Sequence, residues 1–126
     1  MAIFLDTHVV IWAYAGETER FPTGVCDRIE QNDLIISPIV LLEMQYLREI
    51  GRLMVDPGII FESLASSIGL RISDLSFMRV IAEAMVQTWT RDPFDRIITA
   101  TASVANAGLI TKDQGILANY PQAFWG

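Results

Sequence analysis

Short apolar runs alternate along the chain with longer windows of helical periodicity. Ala2, Ile3, Phe4 and Leu5 form an apolar run with no polar face, the pattern of a parallel strand covered on both sides. Leu34, Ile35 and Ile36 repeat it, and Leu109 with Ile110 does so more briefly. Leu70, Arg71 and Ile72 alternate instead, which suits an edge strand. Between these runs lie helical windows that carry their own end signals. Thr7 stands where it would cap a helix running through Trp12 to Tyr14. Ser37 and Pro38 read as an N-cap and first helical residue of a helix reaching about Ile50, with Gly51 as its stop. Asp92 and Pro93 repeat that grammar and open a helix through Ala100, Ala102 and Ala105 to Gly108. Residues 58–68 and 76–89 read as two further helices. Strands alternating with helices over this length predict βαβ crossovers and an α/β fold with a parallel sheet.

No repeat, low-complexity tract or Ser/Gly-rich linker divides the chain, so residues 1–126 are expected to form one domain. Hydrophobic residues make up 52% and charged residues only 19% of the chain, where about 25% charged is ordinary. That excess of apolar surface points to a partner interface. No apolar run approaches the ~18 residues of a membrane span. The first 16 residues lack a basic start, and Asp6 interrupts their apolar stretch, unlike a secretory leader. A cytoplasmic protein is expected. Cys26 is the only cysteine, which excludes a disulfide framework within the chain and any cysteine-based zinc site. With 15 acids, 9 bases and a net charge of −6, the balance argues against the usual basic footprint of a nucleic-acid binder.

Open parallel sheets bind ligands at the carboxyl ends of their strands, so the residues following each run come next. Asp6 directly follows the first strand and Asp113 lies three residues after Ile110. Each also reads as a helix N-cap. Glu43 has Ile39, Val40, Tyr46 and Leu47 as its helical neighbours. A carboxylate on such a face must be paired with a base or must hold a cation. In Arg91-Asp92-Pro93-Phe94-Asp95-Arg96 the two acids are three apart, with Asp92 as N-cap and Asp95 in the first turn. Arg96 in that turn is disfavoured by the helix dipole and wants an anionic partner. These acids form an oxygen-only donor set, which selects magnesium or manganese over zinc. Held close, they would repel one another unless a divalent cation neutralised them. Such a site can activate water and stabilise charge on a phosphodiester. No P-loop, GxGxxG motif or Ser-His-Asp arrangement competes with this reading.

The segments Phe4-Leu5-Asp6-Thr7-His8, Ile36-Ser37-Pro38 leading to Glu43, Arg91 to Arg96, Leu109-Ile110-Thr111-Lys112-Asp113 and the terminal Phe124-Trp125 resemble, in order, those of PIN-domain ribonucleases, most closely the VapC-type toxins of type II toxin–antitoxin pairs. The resemblance implies a three-layer α/β/α sandwich around a parallel sheet. Carried over by motif, Asp6, Glu43, Asp95 and Asp113 look like the family's acidic quartet, with Asp92 a fifth, adjoining acid. It further implies magnesium- or manganese-dependent RNA cleavage, a cognate antitoxin covering the groove, and a homodimer. Within that expectation Thr7 and Thr111 support the carboxylates, and Arg91, Arg96 and Lys112 meet RNA phosphates. The family often carries a His shortly before the Asp-Pro-Phe-Asp run, where this chain has Trp89 and Thr90. A haloacid-dehalogenase-like phosphatase would need an Asp at the position of His8. A non-catalytic PIN-like module binding RNA or protein is the remaining alternative.

Overall fold

A computed structural model describes residues Met1–Gly126. Five parallel strands, β1 (Ala2–Leu5), β2 (Asp33–Ile36), β3 (Arg71–Ile72), β4 (Gly108–Ile110) and β5 (Ala123–Phe124), form one sheet in the order β3-β2-β1-β4-β5. Seven α-helices connect them: α1 (Thr7–Ala15), α2 (Thr23–Gln31), α3 (Ile39–Glu49), α4 (Pro57–Ile68), α5 (Phe77–Val86), α6 (Pro93–Val104) and α7 (Gln114–Asn119). Successive strand residues point to opposite faces, and Ile3, Phe4 and Leu5 are all buried. Helices therefore cover both faces, giving the expected α/β/α sandwich. The core gathers 20 buried residues, with Phe4, Leu34, Ile36, Met44, Ile98, Leu109 and Ile110 among them. None of the helices is long and apolar enough to cross a membrane.

Strand order reverses at the centre. β1 pairs with β2 on one side and with β4 on the other, so the β1/β4 junction is the switch point where such sheets place ligands. The amide of Asp6 still donates to Ile110 O at 3.0 Å, carrying the ladder one residue past β1. Gly108 opens β4 beside Ile3, where a Cβ would lie 3.2 Å from Ile3 Cγ1. A side chain there would crowd the central pair.

Several helix ends differ from their sequence signals. Thr7 is the first residue of α1, and Asp6 is its cap. In α3 the cap position falls at Pro38, and the buried Ser37 hydroxyl accepts the Ile39 amide at 3.4 Å and meets the Thr101 hydroxyl at 3.0 Å. The helix opened by Asp92 stops at Val104, before Asn106 at φ 51° reverses the chain, and residues through Gly108 turn into β4. The window 76–89 is helical over Phe77–Val86. Helices α2 and α7, and strand β5, lacked a sequence signal strong enough to predict.

Leu5 is fully buried immediately before Asp6. Leu5→Ala is expected to lower unfolding stability by about 2–5 kcal/mol in urea melts, with the m-value unchanged. A loss under about 1 kcal/mol would mean the strand is not packed as described.

Candidate active site

The carboxyl edge of the sheet is organised around Asp6, only 8% exposed. Its Oδ1 accepts the Thr7 amide at 2.8 Å and its Oδ2 the Thr111 hydroxyl at 2.6 Å. Both threonines are buried, and each touches a second acid. Thr7 Oγ1 donates to Glu43 Oε1 at 2.5 Å, while Thr111 Oγ1 accepts the Asp113 amide at 3.0 Å. Thr7, by its amide and hydroxyl, ties Asp6 to Glu43, and the Thr111 hydroxyl ties Asp6 to the backbone of Asp113. Asp113 caps α7 by accepting the Ile116 amide at 2.9 Å. Asp92 caps α6, accepting the amides of Phe94 at 2.8 Å and Asp95 at 3.3 Å.

Asp6, Glu43, Asp92, Asp95 and Asp113 line one cleft of about 560 Å³, together with His8, Trp12, Lys112 and Gln114. The chain's two ion pairs, Arg20–Glu17 and Arg48–Asp56, involve none of these acids. Glu43 therefore has no arginine partner, and a threonine hydroxyl satisfies it instead. Its neighbours Val40 and Leu47 are buried as expected, whereas Tyr46 is largely exposed and meets the Phe94 ring. Burial raises the pKa of Asp95, and Asp92, Asp113, Asp6 and Glu43 raise it further, from the ordinary 3.8 to about 7. Desolvation also raises Asp6 and Glu43, against the lowering effect of their threonine hydrogen bonds.

The structure brings Lys112 to the cleft but not Arg91 or Arg96, which line a separate depression beside Ala84 and Met85. Arg96 Nε and Nη2 donate to the Ala84 and Met85 carbonyls at 3.1 and 3.3 Å. The partial negative charge at the C-terminal end of α5 is its partner within the chain, which leaves Lys112 as the cation at the cleft. His8, Trp12 and Gln114 also line the cleft. His8 follows Thr7 on α1 and Gln114 follows Asp113, so their places next to strand-end acids were the available signal.

The donor set fits a hard divalent cation. It is made of carboxylate oxygens in mutual repulsion, without a thiolate and without an ion-paired base. No three of the acids converge closely enough to hold one ion by direct contacts alone, an arrangement compatible with magnesium, which keeps several of its waters.

The PIN-domain family model matches residues 3–121, and the chain belongs to the PIN-domain family. It is 29% identical over 118 residues to Ribonuclease VapC22 of Mycobacterium tuberculosis, covering 89% of this chain and 87% of that protein. In fold it is similar to a chain of VapBC2 from Rickettsia felis bound to a promoter DNA fragment, with TM-score 0.70, 21% identity, and 98% and 96% of the two chains covered. A toxin–antitoxin complex from Klebsiella pneumoniae contains a chain similar at TM-score 0.61 and 21% identity, with the same coverage.

Raised acid pKa values fix the sign of a pH effect. Between the ordinary 3.8 and about 7 the folded state binds the Asp95 proton that the unfolded state has released, so stability falls as pH rises through that window. The metal-free protein is expected to melt at higher temperature at pH 5.5 than at pH 8, with manganese removing the difference. A metal-free melting temperature that rises from pH 5.5 to 8 would contradict the raised Asp95 pKa.

Proposed function

We propose that the protein is a magnesium- or manganese-dependent endoribonuclease, the toxin of a type II toxin–antitoxin pair acting in the cytoplasm. One observation carries this reading: five acids without a basic ion-pair partner share a single cleft at the switch point of the sheet. Membership of the PIN-domain family and similarity to a protein named as a ribonuclease support it. The toxin assignment draws on the same relative and on the similar chains found in toxin–antitoxin complexes.

Asp6, Asp95 and Asp113 would hold the metal directly or through its waters, with Glu43 ligating a second ion or orienting the attacking water. The bound ion supplies an activated water and stabilises charge developing on the phosphodiester. This chain supplies the positioning. Thr7 and Thr111 fix both oxygens of Asp6, and Thr7 occupies Glu43 Oε1, leaving Oε2 to face other ligands. Asp92, exposed and committed to capping α6, adds charge at the rim and steadies the Asp95 amide. Lys112 is the cation positioned for an RNA phosphate beside the cleft, with exposed Arg91 an outlying one.

The partners are an RNA substrate, a cognate antitoxin covering the cleft, and a second copy of the chain. Exposed Leu42 and Tyr46 on α3, with Phe77, Met78, Met85 and Val86 on α5, favour the homodimer, since such apolar area is unusual on a free surface. The separation of the acids, no three of which converge, favours the competing reading of a binding module without turnover.

Incubation with structured RNAs in magnesium, and then in EDTA, separates the two. The wild type is expected to cut RNA only with the metal. Asp6→Asn and Asp95→Asn are each expected to lose at least about a hundredfold in rate, the scale for removing a preorganised electrostatic contact, while keeping the far-UV spectrum of the wild type. Undiminished magnesium-dependent cleavage in both variants, or RNA left whole by the wild type, would refute the proposal.

A further inference from the structure

Trp12 is the one hydrophobic side chain lining the carboxylate cleft. It lies one helical turn beyond His8 on α1, and only half-buried. The His8, Phe21 and Trp125 rings meet it at 5.9, 6.5 and 6.0 Å, all tilted or edge-on, at 48°, 53° and 61°. None stacks parallel to the indole. Two cations stand over the ring, the Arg20 guanidinium carbon at 5.1 Å and Lys112 Nζ at 5.8 Å from its centroid. Packing of Phe21 and Trp125 against Trp12 accounts for anchoring the C-terminus onto α1. It does not account for an indole in a wall otherwise made of charged and polar groups, with cations gathered at its face in a chain of net charge −6.

Resting on the ribonuclease reading above, we infer that Trp12 is a stacking platform for an unpaired base of the RNA strand, next to the phosphodiester held by the acids. Unpaired bases are recognised by stacking on aromatic rings, and cations at the same ring carry the adjoining backbone. Phe21 and Trp125 pack against the indole at steep angles, which restrains its plane and lowers the entropic cost on binding. Lys112, shared by the cleft and the indole, reaches the phosphate beside the stacked base. Arg20, exposed and paired with Glu17, has to yield the ring face to the base and then stands beside it as a charge. The occupant is a single strand, because a base in a duplex has its faces covered by its neighbours.

The test compares binding of a short labelled single-stranded RNA with that of a matched strand carrying abasic sites. Calcium, another cation that takes oxygen ligands, replaces magnesium during the titrations, and a separate magnesium assay reads cleavage. The wild type is expected to bind the base-bearing strand about tenfold more tightly than the abasic one. Trp12→Leu should bring that ratio close to one, while Trp12→Phe keeps most of it. Because the ratio is taken within each protein, a general loss of stability does not imitate the effect. A wild-type ratio near one overturns the inference whether or not the Leu variant folds. An unchanged ratio in a folded Trp12→Leu protein overturns it as well. Discrimination without magnesium-dependent cleavage would refute the nuclease reading and support the subsite; cleavage without discrimination would refute the subsite alone.

Discussion

The site depends on how one buried carboxylate is held. Asp6 continues the central strand by its amide, caps α1 by Oδ1, and takes the Thr111 hydroxyl on Oδ2. Burying an ionised carboxylate costs several kcal/mol, and here two hydrogen bonds offset part of that without a counter-charge, burial still holding the pKa above its ordinary value. The same hydrogen bonds set its orientation. Thr7 and Thr111 then reach Glu43 and Asp113, so elements distant in sequence are brought into register by two hydroxyls. A Thr111→Val change would keep the volume and remove the side-chain bond to Asp6 Oδ2, leaving only the backbone bond from the Asp6 amide to Ile110.

Electrostatics around that carboxylate reverses the first impression given by the composition. A net charge of −6 seems to disqualify a chain from handling nucleic acid. Four of those six excess charges belong to Asp6, Glu43, Asp95 and Asp113, gathered in one cleft. The acidity is therefore local, and a divalent cation is what would convert it from a barrier to phosphate into a binding site. The few cations near the cleft gain importance in proportion, Lys112 above all.

The central layers were legible because burial on both faces leaves no choice of pattern. Ile3, Phe4 and Leu5 read as a covered strand and are one. Leu70-Arg71-Ile72 read as an edge and pairs only with β2. Asp6 and Asp113 stand out as strand-end positions and Glu43 as a carboxylate on an apolar helix face, and the fold places them in one cleft with Asp92 and Asp95. Helix α2 escaped notice because Val25 is its single buried residue, too little to mark a face. Strand β5 has two half-buried residues, and its identity comes from pairing with β4. Arg96 finds its partners, carbonyls 84 and 85, at the end of another helix, which no local pattern around Arg96 reports. The cluster of Trp12, Phe21 and Trp125 joins opposite ends of the chain, and no periodicity reports such a meeting.

Asp95 is half-buried in the cleft and repelled by the acids around it, and a bound cation would offset both effects. Calorimetric titration with manganese at pH 7, in two buffers of different ionisation enthalpy, tests it most directly by counting protons released. An Asp95 pKa of about 7 predicts release of about half a proton or more per chain at pH 7, falling toward zero by pH 8.5. Manganese binding with no proton release at pH 7, or no binding at either pH, would contradict the account.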